Sequence, residues 1–207
     1  MANKFTTLEQ HASYGIGLQM GQQLADNPFD GLDIEAVTAG VKAAFTEQDP
    51  EVTDEQIREA FGVISERMQA QQAEKAQLLA EAGEDFLAEN AKRAEITVTE
   101  SGLQYEVLAA GAADGEKPTA ESTVRTHYHG TLIDGTVFDS SYQRGEPAEF
   151  PVSGVIAGWT EALQLMTPGT KLRLYVPHEL AYGERGAGNA IAPFSTLIFD
   201  VELLAII

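Results

Sequence analysis

The chain has 207 residues, 43% of them apolar, and a formal charge of −19, enough material for one large core or two small ones. The acidic excess runs through both halves, −11 over residues 1–95 and −8 over residues 96–207, and no basic run interrupts it, which excludes nucleic acid as the main ligand. There is no cysteine, so disulfides, thiolate nucleophiles and cysteine–metal sites are excluded. The start of the chain carries no apolar h-region, and no later segment approaches a membrane span, so a cytoplasmic location without a membrane partner is expected.

Thr7-Leu8-Glu9-Gln10 is a capping-box pattern that opens a helix running to about Ala25, where Asn27-Pro28 stops it. Gly15, Gly17 and Gly21 give that helix a smooth face suited to close helix–helix approach. Their spacing does not make a dinucleotide loop, because Met20 stands where a third glycine belongs and no strand precedes. Asp33 caps a second helix with Ile34, Val37, Val41, Ala44 and Phe45 on one face, and Asp49-Pro50 breaks it.

Thr53-Asp54-Glu55-Gln56 is a second capping box, and no proline follows until Pro118. Residues 53–95 are Ala, Glu, Gln, Leu, Lys and Arg-rich, which predicts one helix roughly 60 Å long at 1.5 Å per residue. Ile57, Phe61, Ile64 and Met68 follow 4-3-4 spacing, so its first third packs on something. Gln69 to Gln77 is polar nearly all round, and Leu78, Leu79, Ala82, Phe86 and Leu87 then restore a stripe. A polar middle suits a helix bridging two domains better than one more helix of a compact bundle. Two short helices and a third of a long one make a meagre core, and pairing with a second copy is the natural remedy.

Near Ile96 to Gly102 the period changes from helical to alternating, which sets a domain boundary at 97/98. Leu103–Val107, Val124–His129, Lys171–Val176 and Thr196–Leu204 read as strands, and Asp134-Gly135 marks a hairpin turn. Glycine and proline crowd an irregular loop from Pro177 to Pro193. Val155 to Leu163 reads as a short helix carrying the only tryptophan, Trp159. The expected fold is α+β: a helical region 1–97, then an antiparallel sheet of five or six strands wrapped over one short helix. Trp159 is either core filler or the floor of a pocket.

Local chemistry is sparse. His127 and His129 share a strand face, but no third metal ligand is placed by spacing, so no metal site is expected. Ser140-Ser141 lacks nucleophile-elbow glycines, and there is no phosphate-binding glycine loop, which argues against a hydrolase, kinase or dehydrogenase. What remains is an apolar set, Tyr128, Phe138, Phe150, Val155, Ile156, Trp159, Tyr182, Ile191 and Phe199, together with Asp139. Each alone is ordinary core.

Together they carry a resemblance. Tyr128-His129-Gly130, Asp134 to Ser141, Val155-Ile156-Ala157-Gly158-Trp159, Ala181-Tyr182-Gly183 and Leu197 to Leu204 stand in the order found in FKBP-type peptidyl-prolyl cis-trans isomerases. The helical half, with its Tyr14-Gly15-Ile16-Gly17 region and long helix, is similar to the dimeric FKBP22 and macrophage-infectivity-potentiator group of bacteria. The resemblance implies an isomerase domain over 98–207 and a homodimer formed by the N-terminal helices, with the long helices holding two catalytic domains apart in a V. It implies proline-containing polypeptide clients, chaperone-like client binding, binding of the macrolides FK506 and rapamycin, and no cofactor.

By position, Tyr128, Phe138, Phe150, Val155, Ile156, Trp159, Tyr182, Ile191 and Phe199 would bind substrate, with Trp159 as floor. Asp139, Tyr182 and Ile156 would act in catalysis, the Ile156 N–H and Tyr182 hydroxyl as donors and Asp139 paired with Arg144. Ala148, Ala187, Ala190 and Ala192 depart from the pattern and thin the loop contacts. The rival readings are a client-holding chaperone with incidental isomerase activity and a module that only binds proline or macrolide ligands.

Overall fold

The computed structural model describes residues 4–26 and 28–207. The Met1–Asn3 start and the helix stop assigned to Asn27 lie outside the described residues. Helices begin where their caps stand. Thr7 and Gln10 exchange two side chain–backbone bonds of 3.2 Å at the head of α1 (Leu8–Asp26). The Asp33 carboxylate accepts from the Glu35 and Ala36 N–H groups at the head of α2 (Ile34–Phe45). Thr53 and Gln56 repeat the capping box ahead of α3 (Asp54–Asn90).

The chain divides into two compact units, residues 1–71 and 72–207. In the first, no side chain is buried among the described residues. Tyr14 is 54% exposed, Phe45 88% and Phe61 68%. The Ile57–Phe61–Ile64–Met68 stripe thus finds no full cover in its own chain.

The second unit is built on a seven-stranded antiparallel sheet. Its order is β1 (Thr97–Val98), β2 (Gln104–Ala109), β6 (Lys171–Val176), β7 (Leu197–Ile206), β3 (Thr123–Leu132) and β4 (Val137–Ser140), with β5 (Ala148–Pro151) also paired to β3. That exceeds the expected five or six, because β1, with two residues, is too short for alternation to show. In β3 and β7 the alternation is clear. Leu197, Phe199, Val201 and Leu203 of β7 face the core, as do Leu172, Leu174 and Val176 of β6. Gly135, at φ +86°, turns the chain between β3 and β4.

One helical turn, α4 (Ser141–Arg144), follows β4, and helix α5 (Ala157–Leu165) lies on the inner face and buries Trp159, Ala162 and Leu163 against that sheet. Gly158 lets it approach, since a Cβ there would stand 2.6 Å from Val176 Cγ1. The end of α3 packs on the sheet as well. Gly83 is buried beside Thr196, Phe86 meets Tyr175 with centroids 6.0 Å apart, and Asn90 donates to Gln104 at 2.9 Å. α3 stops at Asn90, five residues before the expected 95. There the chain turns so that the Arg93 guanidinium bonds Asn90, the Tyr175 hydroxyl, Glu95 and Glu106. Composition favours helix through this stretch, and tertiary contacts override it.

Candidate functional site

On the inner face, between α5, β3, β4, β7 and the loop after β6, lies a cavity of about 580 Å³. All ten residues singled out from the sequence line it: Tyr128, Phe138, Asp139, Phe150, Val155, Ile156, Trp159, Tyr182, Ile191 and Phe199. Trp159, 4% exposed, is the hub of an aromatic box. Its indole meets Tyr128, Phe150 and Phe199 edge to face at centroid distances of 5.3, 5.9 and 5.3 Å. Phe138 in turn meets Phe199 at 5.4 Å and 85°. Such T-shaped pairs hold rings firmly without filling the space they enclose. Trp159 is therefore both core and floor. Gly130 makes room for the wall, because a Cβ there would fall 2.6 Å from the Phe138 ring and 3.0 Å from Phe199.

One carboxylate enters this apolar box. Asp139 accepts a 2.5 Å bond from the Tyr128 hydroxyl and pairs with Arg144, as the resemblance implies. Arg144 also donates to the Tyr128 oxygen at 2.8 Å and lies over the Tyr128 ring. Partial burial pushes the Asp139 pKa up, but the bonds from Tyr128 and Arg144 outweigh it and hold the carboxyl below its ordinary value. Burial, with the bond to Asp139, raises the Tyr128 hydroxyl, so it stays protonated as donor. The serine following the hairpin strand supports this corner: the buried Ser141 Oγ accepts from the Tyr128 N–H at 2.8 Å and bonds His127 Nδ1 at 3.0 Å.

Two donors at the rim are uncommitted. The Ile156 carbonyl caps α5 by accepting from the Trp159 and Thr160 N–H groups, while its own N–H has no acceptor among the described residues. Tyr182, 41% exposed, makes no hydroxyl bond among them either. Sequence reasoning missed Gly154 as a lining residue, while Ala190, one of the four loop alanines that depart from the family pattern, does line the cavity. Gly154 contributes backbone alone, and no side-chain chemistry signals such a position. Ala148, Ala187 and Ala192 do not line the cavity.

A second cavity of about 590 Å³ lies on the outer face, between the end of α3 and β3, β6 and β7. Size does not choose between the two. In the second, Arg173 is bound by Asp200 and Arg93 by Glu95 and Glu106, so its cations are already neutralised. The first offers aromatic walls and free donors. No group of three or more metal-ligating side chains occurs among the described residues, and His127 is stacked on Tyr142 at 4.6 Å.

Residues 114–204 match the family model for FKBP-type peptidyl-prolyl cis-trans isomerase, and residues 9–107 match the model for the domain amino-terminal to it. The chain is 53% identical over 203 residues to the FKBP-type 22 kDa peptidyl-prolyl cis-trans isomerase of Escherichia coli K12, covering 98% of each. The chain belongs to the FKBP-type peptidyl-prolyl cis-trans isomerases. It is also 38% identical to the outer membrane protein MIP of Legionella longbeachae, over 99% of this chain and 88% of that one. Among solved structures, FkpA from Escherichia coli superposes with a TM-score of 0.71 at 36% identity over 98% of each chain. As an FKBP-type isomerase the chain is an enzyme, and it acts on the peptide bond preceding proline.

Proposed function

We propose that the inner cavity is where this FKBP-type isomerase twists the prolyl bond, and that it does so by desolvation and oriented hydrogen bonds. The amide barrier is about 18–20 kcal/mol because resonance is lost on twisting, and the uncatalysed exchange takes tens to hundreds of seconds. No covalent bond breaks. A catalyst has only to favour the twisted amide over the planar one. Trp159, Tyr128, Phe138 and Phe199 hold the pyrrolidine ring and strip water from the carbonyl, where hydration stabilises the planar, dipolar form. The Ile156 N–H and the Tyr182 hydroxyl hold the peptide, and Asp139, fixed by Tyr128 and Arg144, faces the twisting bond. A thousandfold acceleration requires about 4 kcal/mol, within reach of desolvation and two oriented bonds.

The observation that carries this reading is the convergence of all ten residues, with two uncommitted donors, on one cavity. Because Trp159 is the only tryptophan, the test needs no label. Adding a proline-containing peptide, or FK506, should change the protein's fluorescence saturably and with matched inhibition of isomerisation. Unchanged emission at inhibitory FK506 would contradict the assignment.

The proposal extends to a homodimer joined by the N-terminal helices, with 98–207 as the isomerase domain and clients bound chaperone-like between the two copies. The exposure of Tyr14, Phe45 and Phe61 supports it, since a lone chain would leave large rings in water. The same exposure favours the second reading, a client-holding surface. Refolding of a proline-limited protein by the full chain and by 98–207 alone separates them from simple catalysis: equal rates would count against client binding by the helical half. Location is proposed to be cytoplasmic, which cell fractionation tests.

A further inference from the structure

The loop between β6 and β7, residues 177–196, carries Tyr182 and Ile191 to the cavity yet has little regular structure. It holds two short 3₁₀ turns, His178–Leu180 and Gly183–Arg185, and one bridge, Ala187 to Ile191. Tyr182 has no side-chain hydrogen bond to anchor it among the described residues. Its position over the cavity therefore depends on what fixes the loop backbone.

Phe194 does this from an unusual conformation. Its φ is +60°, in the left-handed region that bulky residues rarely enter. In that conformation the Phe194 N–H donates to the Gly183 carbonyl at 2.9 Å. Its ring meets the His178 imidazole edge to face, with centroids 5.0 Å apart at 72°. The two contacts grip the chain on both sides of Tyr182, four residues before and one after. Ser195 Oγ, bonding the Ala192 carbonyl at 2.7 Å, closes the turn that presents Phe194. Pro193, just before it, removes a backbone donor and limits the freedom of the approach.

We infer that Phe194 is a positioning residue of the isomerase: it clamps the 177–193 loop so that Tyr182 stands ready over the substrate cavity. The inference rests on the proposed role of that cavity. Without the clamp, only part of the population holds Tyr182 in place, and apparent affinity falls by that fraction. KM should then rise while kcat, reached once substrate has ordered the loop, stays close to wild type. A purely structural Phe194 behaves differently, because partial unfolding lowers the active fraction and so lowers kcat at constant KM.

The test measures kcat, KM and the thermal midpoint of the full-length chain on a cis-enriched proline tetrapeptide. Phe194→Ala should raise KM about fivefold, with kcat near wild type. Phe194→Tyr, which keeps the ring, should restore KM. Adding Phe194→Ala to Tyr182→Ala should raise KM no further, since the clamp acts through Tyr182. A wild-type KM in Phe194→Ala, or a fall in kcat alone that tracks a lower midpoint, overturns the clamp. Trp159→Ala with wild-type kinetics would overturn the cavity reading and the clamp with it, whereas impaired Trp159→Ala beside unimpaired Phe194→Ala overturns the clamp alone.

Discussion

Tyr128 and Asp139 meet at 2.5 Å, the hydroxyl of the inner-facing β3 tyrosine donating to the only carboxylate that lines the cavity among the described residues. The bond fixes a charge beside aromatic walls. Its electrostatic consequence is a depressed Asp139 pKa. A folded-state value below the unfolded one stabilises the fold above the ordinary aspartate pKa of about 3.9, and that contribution is lost as pH falls through the folded value. Asp139→Asn should therefore melt below wild type at neutral pH, with a smaller gap at a pH below the ordinary aspartate value of about 3.9. An equal gap at both pH values would contradict the assignment. Because the Asp139 side chain is 43% exposed, the gap should be small.

Gly158→Ala tests how tightly α5 sits. Alanine gains about 1 kcal/mol of helix propensity, but its methyl would stand 2.6 Å from Val176 Cγ1, and Val176 is wholly buried. Overpacking of that kind costs about 1–3 kcal/mol. The clash should win, giving net destabilisation in urea unfolding and weaker peptide binding as Trp159 shifts. A stabilised variant would show that the helix moves freely.

Asn90→Ala tests the seat of α3. Asn90 is 5% exposed, donates to Gln104 and accepts from Arg93. Its removal strands the Gln104 carbonyl oxygen in a buried site, at a cost of about 1–3 kcal/mol. Urea unfolding should report that loss with peptide kinetics unchanged. No loss would mean that water reaches Gln104 freely.

The exposed rings of the first unit predict a mass twice that of the chain in sedimentation. Phe61→Glu, which places charge on the α3 stripe, should shift the mass toward one chain while leaving tetrapeptide isomerisation intact. A wild-type protein sedimenting at single-chain mass would remove the dimer.

Local signals carried much of this architecture. Capping boxes at Thr7 and Thr53, the Asp33 cap and the Asp134-Gly135 turn each act within four residues, so they read directly. Alternation identified β6 and β7 because one face of each strand lies on the core throughout. The end of α3 did not read, since Arg93 leaves the helix for Glu106 and Tyr175, partners that only folding brings near. The site residues were legible because their motifs occur together and in order. Gly154 and Phe194 were not, since a backbone approach and a φ angle leave little trace in residue type.

If the cavity floored by Trp159 performs the isomerisation, the indole is the side chain whose loss costs most. The most direct measurement is the rate of cis–trans exchange of a proline tetrapeptide with Trp159→Ala, whose fold is verified by circular dichroism. Loss of the indole from the aromatic box should lower kcat/KM by at least about tenfold, equivalent to roughly 1.4 kcal/mol of transition-state stabilisation. A folded variant that isomerises the peptide at the wild-type rate would contradict that role for the cavity.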